Sequence, residues 1–380
     1  MDLHRAYLVI PKLIEQPTWG GTYIVTQKGW QQKPELTDKK IGQSYELFSA
    51  SNLSLLTSSA DKNFSPEITD TKKVYEPTTP INSLSLKDLI AQEPAGPTMQ
   101  LLIKFTQALG NSFQLHIKDG TQHDKWKPKP ESWYYFEPGL ATLGVKSDIN
   151  WQQYETTVTK LQTDIVAIGQ KVQTNALTFL EAQTEVKKLV SAANPWQFIN
   201  LVELPKDAIV DLSPCGIHHS WEEDTVKLPL GNVLYELQVD VSDIASTIRN
   251  FDKGKLLPDG TTRQLHIPDY FKCIDRSPNT NNPESHLKKP KLISETATYR
   301  AEQLFRTAYY SLDKITFTKN GEYSETIESY RHIFVKSGNC KLITGNTTLE
   351  VTTGHSAFIP ASVKEYMILG CINTVVLVSY

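Results

Sequence analysis

Three short stretches of this chain carry side chains that can hold a metal ion: Gln114-Leu115-His116, Lys129-Pro130-Glu131 and Pro214-Cys215-Gly216-Ile217-His218-His219. A neutral imidazole nitrogen and a carboxylate oxygen are ordinary zinc ligands, and an amide carbonyl such as that of Gln114 suits a borderline or hard cation. Gln114, His116, Glu131 and one further histidine would make a four-ligand shell with room for a substrate. His218 and His219 are neighbours on what reads as a strand, so they point to opposite faces and one of them at most can enter the site.

The elements that must position these groups read as strands. In Ser112-Phe113-Gln114-Leu115-His116-Ile117 the apolar residues Phe113, Leu115 and Ile117 alternate with polar ones, the period of a half-buried strand, so Gln114 and His116 share a face. On an inner face each needs a partner, because an unpaired buried imidazole or amide costs on the order of 1 to 3 kcal/mol. A divalent metal satisfies both.

The first hundred residues mix short apolar runs with turn-rich stretches such as Trp19-Gly20-Gly21-Thr22 and Pro77-Thr78-Thr79-Pro80, which favours short strands over long helices. A short helix is expected over Leu84 to Gln92. From Trp151 the pattern changes: Trp151, Tyr154, Val158, Leu161, Ile165, Ile168 and Val172 recur at spacings of three and four, which predicts a helix with one apolar side. A second helix is predicted from about Thr178 to Ala193, opened by a capping box of Thr178 and Glu181 and turning Val186, Leu189 and Val190 inward. The pair reads as a helical hairpin inserted between strands, over about residues 150–194. Strand character returns at Ala208–Leu212 and at Asn232–Val239, where Glu236 and Gln238 share a face. The polar stretch 275–292, rich in proline and asparagine, reads as a linker or exposed loop. After it come β-like runs at His332–Val335, Cys340–Ile343 and Val375–Val378, which predict a small all-β unit.

The chain has 380 residues, 39% of them hydrophobic and 21% charged, the balance of a globular protein with two or three structural units. A formal net charge of -3 gives no electrostatic case for nucleic acid or an anionic membrane surface. No apolar run approaches the roughly 18 residues of a membrane span, so a cytoplasmic protein is expected. The four cysteines, Cys215, Cys273, Cys340 and Cys371, form no CxxC pair and predict reduced thiols.

Taken in order, these motifs resemble those of type I mannose-6-phosphate isomerases, members of the cupin superfamily of double-stranded β-helix barrels. Ser112-Phe113-Gln114-Leu115-His116 is similar to the family's S-x-Q-x-H strand. Lys129-Pro130-Glu131 with Trp133-Tyr134 is similar to its K-P/T-E-x-W-Y segment, and Pro214-x-Gly216-x-x-His219 to its second cupin motif. Trp19-Gly20-Gly21 resembles its N-terminal WGG. The sequence departs from the family in having Ile117 where a proline usually follows the histidine, Gln43 in a G-E-S-W-like segment, and about three extra residues between Glu236 and Arg249.

The resemblance implies a mainly β protein with two cupin barrels in tandem and an inserted helical segment. Residues 1–274 would form the catalytic unit, 275–292 the linker, and 293–380 a degenerate cupin with Ser362 and Glu365 at positions where the motif has glycine and histidine. It implies one zinc ion per chain, held by Gln114, His116, Glu131 and His219, with Arg249 as the catalytic arginine. Interconverting an aldose phosphate and a ketose phosphate moves a proton between C1 and C2 through an enediol whose negative charge must be stabilised. Lys129 and Arg249 would supply fixed positive charge, and Glu236, if desolvated, a carboxylate suited to proton transfer. Ser112 and Lys255, with Lys253 as the alternative, would receive the phosphate. The expected activity is zinc-dependent isomerisation of mannose 6-phosphate and fructose 6-phosphate in carbohydrate metabolism. A cupin that binds a sugar phosphate without catalysis is the alternative, and an iron oxygenase would call for a more histidine-rich shell.

Overall fold

The computed structural model describes residues 2–70, 83–93 and 100–380. The expected turn Pro77–Pro80 lies outside the described residues. The chain is mainly β, and its described residues form four sheets of nine, eight, five and four strands.

The eight-stranded and five-stranded sheets carry the metal-type motifs on faces that look toward each other. The strands Leu101–Ala108, Asn232–Val239 and Glu131–Tyr135 are neighbours in the larger sheet, and Phe113–Leu115, His218–Trp221 and Ile248–Phe251 in the smaller. Ring contacts close the gap between the sheets, with Trp133 packing at 5.4 Å from His219 and 5.7 Å from Trp221.

The helical hairpin lies against the other face of the five-stranded sheet. Its first helix spans Trp151–Gln173 and is opened by Asn150, whose side chain accepts from the Gln153 amide. Its second spans Phe179–Ala193, with both bonds of the Thr178/Glu181 capping box present, as the spacing predicts. Tyr154, Val158, Leu161, Ile165 and Val186 are buried in one cluster with Phe113, Leu115, Phe251 and Tyr270. Each fully buried aliphatic side chain there contributes on the order of 1.5 to 3 kcal/mol, and together they back the strands that carry the site.

Trp19 and its glycines are built by close approach. A Cβ at Gly20 would stand 2.7 Å from the Gly42 nitrogen, and one at Gly42 would strike the Trp19 ring. The bare backbones therefore let the indole lie across the strand Ile41–Leu47.

The short helix expected over Leu84 to Gln92 is limited to Leu86–Ile90, because Ser83–Ser85 pairs as a strand and Ser85 caps the helix. The stretch 275–292, read as a linker or exposed loop, is mostly exposed but carries local structure of its own. It contains the helical turn Pro278–Asn281 and the strand Leu287–Lys288, which pairs with Ile209–Asp211. Asn281 accepts from the Val145 amide and donates to two carbonyls, and His286 is buried. Polar residues here serve local backbone bonding, which composition alone does not distinguish from solvation.

The strands at both ends of the sequence share one sheet. Tyr7–Ile10 pairs with Ser356–Ile359 on one side and with Asn52–Ser54 on the other. The nine-stranded sheet thus joins the first 85 residues to the strands after residue 290.

Candidate metal centre and substrate cavity

The strand Phe113–Leu115 sits between two antiparallel neighbours, with His219 opposite Gln114 on one side and Arg249 opposite it on the other. Residues directly opposite each other in antiparallel strands share a face. One row therefore aligns an amide, an imidazole and a guanidinium. In the facing sheet, Glu236 lies opposite both Trp133 and Lys104, and Glu131 opposite Gln238. Period two then puts Glu131, Trp133, Glu236 and Lys104 on a common face.

His116, Glu131 and His219 meet where the sheets converge. His219 Nε2 is 2.9 Å from Glu131 Oε1 and His116 Nε2 is 3.5 Å from Glu131 Oε2, and one ligand atom from each residue lies within 4.8 Å of the others. All three are buried. His218 turns the other way, into the helical core, with its ring 4.6 Å from Phe113.

The donors fit a divalent cation. His116 Nδ1 is 2.7 Å from the Ser246 carbonyl oxygen. A carbonyl only accepts, so Nδ1 carries the hydrogen and Nε2 keeps its lone pair for the interior, where it has no hydrogen-bond partner. Gln114 Nε2 donates to Ser112 Oγ at 3.2 Å, which leaves the amide oxygen available beside the cluster. Two imidazoles, a carboxylate and an amide oxygen form an ordinary zinc-type set.

A cavity of about 320 Å³ opens from this cluster, walled by Gln114, Glu131, His219, Lys129, Glu236 and Arg249 and also by Lys104, Asp243, Lys255, Arg263, Trp19, Gln43 and Tyr45. Its charges are strongly coupled. Lys129 Nζ lies 2.9 Å from Asp243 Oδ1 and 3.6 Å from Glu131 Oε2. Burial alone would lower the Lys129 pKa, but Asp243, Glu131 and Glu236 more than offset it and the ammonium titrates above its ordinary range. Burial likewise works to raise Glu131, yet Lys129, His116 and His219 hold its carboxyl well below the usual range. At Glu236 burial wins over Lys104 and the pKa is raised.

The sequence-derived candidates are not equally placed. Glu236, Lys129, Arg249 and Lys255 line the cavity, Lys255 donating to the Gly110 carbonyl at 3.1 Å. Ser112 is fully buried and its hydroxyl is engaged by the Gln114 amide. Lys253 is tied to Glu222 at 2.7 Å and donates to the Trp221 carbonyl, so its charge is spent inside the fold. Lys104, Asp243 and Arg263 were not singled out by sequence reasoning. Lys104 had a signal, a lone cation in a strand whose other residues are apolar or neutral, opposite Glu236. Asp243 and Ser246 lie in the stretch that lengthens the Glu236 to Arg249 spacing, which here is a short helix, Asp243–Ser246, facing the site.

No family model matches the sequence. A 110-residue stretch is 26% identical to polynucleotide 5'-hydroxyl-kinase NOL9 of Drosophila melanogaster, covering 27% of this chain; the chain spans 11% of that protein's length. Solved structures are similar over the full length. Mannose 6-phosphate isomerase from Bacillus subtilis superposes with a TM-score of 0.65 at 15% identity, covering 99% of both chains. The Salmonella typhimurium enzyme bound to its substrate (f6p) and zinc gives 0.61 at 14% identity, over 97% of this chain and 98% of that one. The chain has the fold of mannose 6-phosphate isomerases. That fold is cupin-type and mainly β. At this identity the likeness establishes the fold, and the chemistry rests on the residues of the cavity. Among the described residues, no helix is long and apolar enough to cross a membrane.

Proposed function

We propose that the protein is a zinc-dependent aldose-ketose isomerase that interconverts mannose 6-phosphate and fructose 6-phosphate. The observation that carries this reading is the buried His116, Glu131 and His219 cluster set in one cavity with Glu236, Lys129 and Arg249. The similar Salmonella enzyme, with substrate and zinc bound, supports it.

One zinc ion per chain would be held by His116, Glu131 and His219 with Gln114 as the fourth ligand. When bound, it would supply Lewis acidity toward the sugar oxygens. The remaining work falls to the chain. Glu236 is desolvated, and its Oε2 has no hydrogen-bond partner, so it is suited to carry the proton between C1 and C2. Lys129 and Arg249 hold positive charge where the enediolate oxygens develop negative charge, and preorganised charge in a water-poor site acts on the transition state. Trp133, buried between the sheets, limits water at the reacting carbons.

In this reading residues 1–274 form the catalytic barrel and 293–380 a second barrel in tandem, with the nine-stranded sheet binding them together. The protein would act in the cytoplasm on a small sugar phosphate, with no nucleic acid or membrane partner.

The test is a coupled assay for fructose 6-phosphate formed from mannose 6-phosphate, before and after chelation and zinc restoration. Turnover lost on chelation and restored by zinc is the expected result. Stoichiometric metal and sugar phosphate binding without turnover would make the protein a binding cupin instead.

A further inference from the structure

Three cations gather in the wall of the cavity, Arg249, Lys255 and Arg263. The other two, Lys104 and Lys129, are matched by Glu236, Glu131 and Asp243. The group of three shares Asp252 as a common carboxylate, which pairs loosely with Arg263 and also acts on Arg249 and Lys255, and none of the three donates a hydrogen bond to a carboxylate. Lys255 and Arg249 donate to backbone carbonyls, and Arg249 Nε is buried with no partner. Arg263 stands 3.6 Å from Asp252 Oδ1, beyond hydrogen-bond range. The side chain of Arg263 is 53% exposed, so it can turn toward the cavity or away from it. Like charges gathered around a concavity with so little compensation repel one another and favour an incoming anion.

The loop that carries Arg263 is built to a fixed position. It runs from Asp252 to His266, between the strand Ile248–Phe251 and the helix Ile267–Cys273. At Gly254, with a φ of 72°, an added Cβ would stand 2.8 Å from Val186 and Val190 of the second inserted helix. At Gly260, with a φ of 79°, it would run into the carbonyl of Gly169 in the first, and a Cβ at Gly169 would run into Gly260. Leu256 is buried in the same cluster as Leu161, and Gln162 Nε2 lies 3.4 Å from Thr262 Oγ1. Both helices of the insertion therefore seat this loop.

We propose that Arg263 is a substrate-binding residue that, with Arg249 and Lys255, takes the dianionic phosphate of a sugar phosphate, and that the inserted helices hold its loop at the cavity. The sugar part rests on the isomerase reading; the anion part stands on the charges alone. A guanidinium presents paired N–H donors that match phosphate oxygens, which a lysine does not reproduce.

The test compares the zinc-loaded protein with Arg263→Gln and Arg263→Lys. Inorganic phosphate is titrated by calorimetry and mannose 6-phosphate by turnover. Arg263→Gln is expected to weaken phosphate binding and raise KM by about 10- to 100-fold, the worth of a charge-assisted hydrogen bond, while kcat changes less than about twofold. Arg263→Lys should recover part of the loss. Gly169→Ala, which leaves Arg263 in place but crowds its loop, should weaken phosphate in the same direction, and unchanged affinity there would remove the scaffold role of the helices. If phosphate binding is lost in Arg263→Gln while no form turns over mannose 6-phosphate, the anion site stands and the isomerase reading falls. Unchanged phosphate affinity and KM in Arg263→Gln, or no phosphate binding by the unsubstituted protein, overturns the proposal.

Discussion

Lys104 Nζ stands 3.3 Å from Glu236 Oε1, across the register of two neighbouring strands, and Glu236 Oε2 is left with no partner. The pair is asymmetric: one oxygen is held by a cation and the other faces the cavity. Lys104 also donates to Gln238 Oε1 at 2.7 Å, which fixes the ammonium in place. Lys104 thus opposes the rise that burial imposes on the Glu236 carboxyl.

Glu236→Gln is expected to lower kcat on the order of 10²- to 10⁴-fold, the usual range for loss of a proton-transfer group. A base must be ionised, so activity should fall as pH drops through the raised pKa of Glu236. Lys104→Met removes the opposing charge and should move that acid limb to higher pH. A pH profile of kcat/KM that does not move in Lys104→Met would separate Glu236 from the rate-limiting proton transfer.

Substituting Glu131 by Gln removes the anion between two imidazoles and leaves Lys129 without one of its carboxylates. Zinc content, read by atomic emission on dialysed protein, should fall to well under one ion per chain. Turnover should fall with it, on the order of 10²-fold or more. Retention of full metal content in both Glu131→Gln and His219→Ala would place the cation elsewhere.

Ser112 reaches the site through Gln114. Ser112→Ala deletes the acceptor that orients the amide, so zinc affinity should weaken by roughly 10- to 100-fold, the usual effect of losing an outer hydrogen bond to a ligand. KM for the sugar phosphate, measured with zinc saturating, should stay nearly constant. A rise in KM with unchanged zinc affinity would instead return Ser112 to phosphate binding.

What the sequence made legible follows the range of each interaction. The capping box at Thr178 and the opposed faces of His218 and His219 follow from local spacing and periodicity, and the structure has both. Lys104, Asp243 and Arg263 reach the cavity by strand register or loop packing, which no local spacing encodes. Lys253 and Lys255 are two residues apart and equally basic, yet only Lys255 faces the cavity. Glu222, distant in sequence, takes the other. The stretch 275–292 is mostly exposed, as its composition suggests, but composition does not show that Asn281 makes to a buried backbone the hydrogen bonds it could make to water.

Two histidines remote from the cavity set an acid limit on the fold. His332, beside the Tyr235 hydroxyl at 3.1 Å, and His355, whose ring lies 5.0 Å from Trp30, are both buried, and burial pushes each down to about 3. The folded state excludes a proton that the unfolded chain accepts near pH 6.5, so stability is complete above that pH and is lost as pH falls toward 3. At pH 5 the loss is roughly 2 kcal/mol for each histidine. The drop in Tm between pH 7 and pH 5 should shrink in His355→Gln, and an unchanged drop would assign the acid sensitivity to other groups.

The pairing of Tyr7–Ile10 with Ser356–Ile359 has a consequence for how the protein is made. Tyr7–Ile10 can pair early with Asn52–Ser54 on one side, but its other edge waits for Ser356–Ile359, which is synthesised much later. Until then the apolar run Tyr7 to Ile10, buried in the finished fold, has an unpaired edge. Contacts of such long sequence separation slow folding and expose the nascent chain to association. Removing Ser356–Ile359 should therefore cost more than its own contacts, because it leaves one edge of Tyr7–Ile10 without a neighbour.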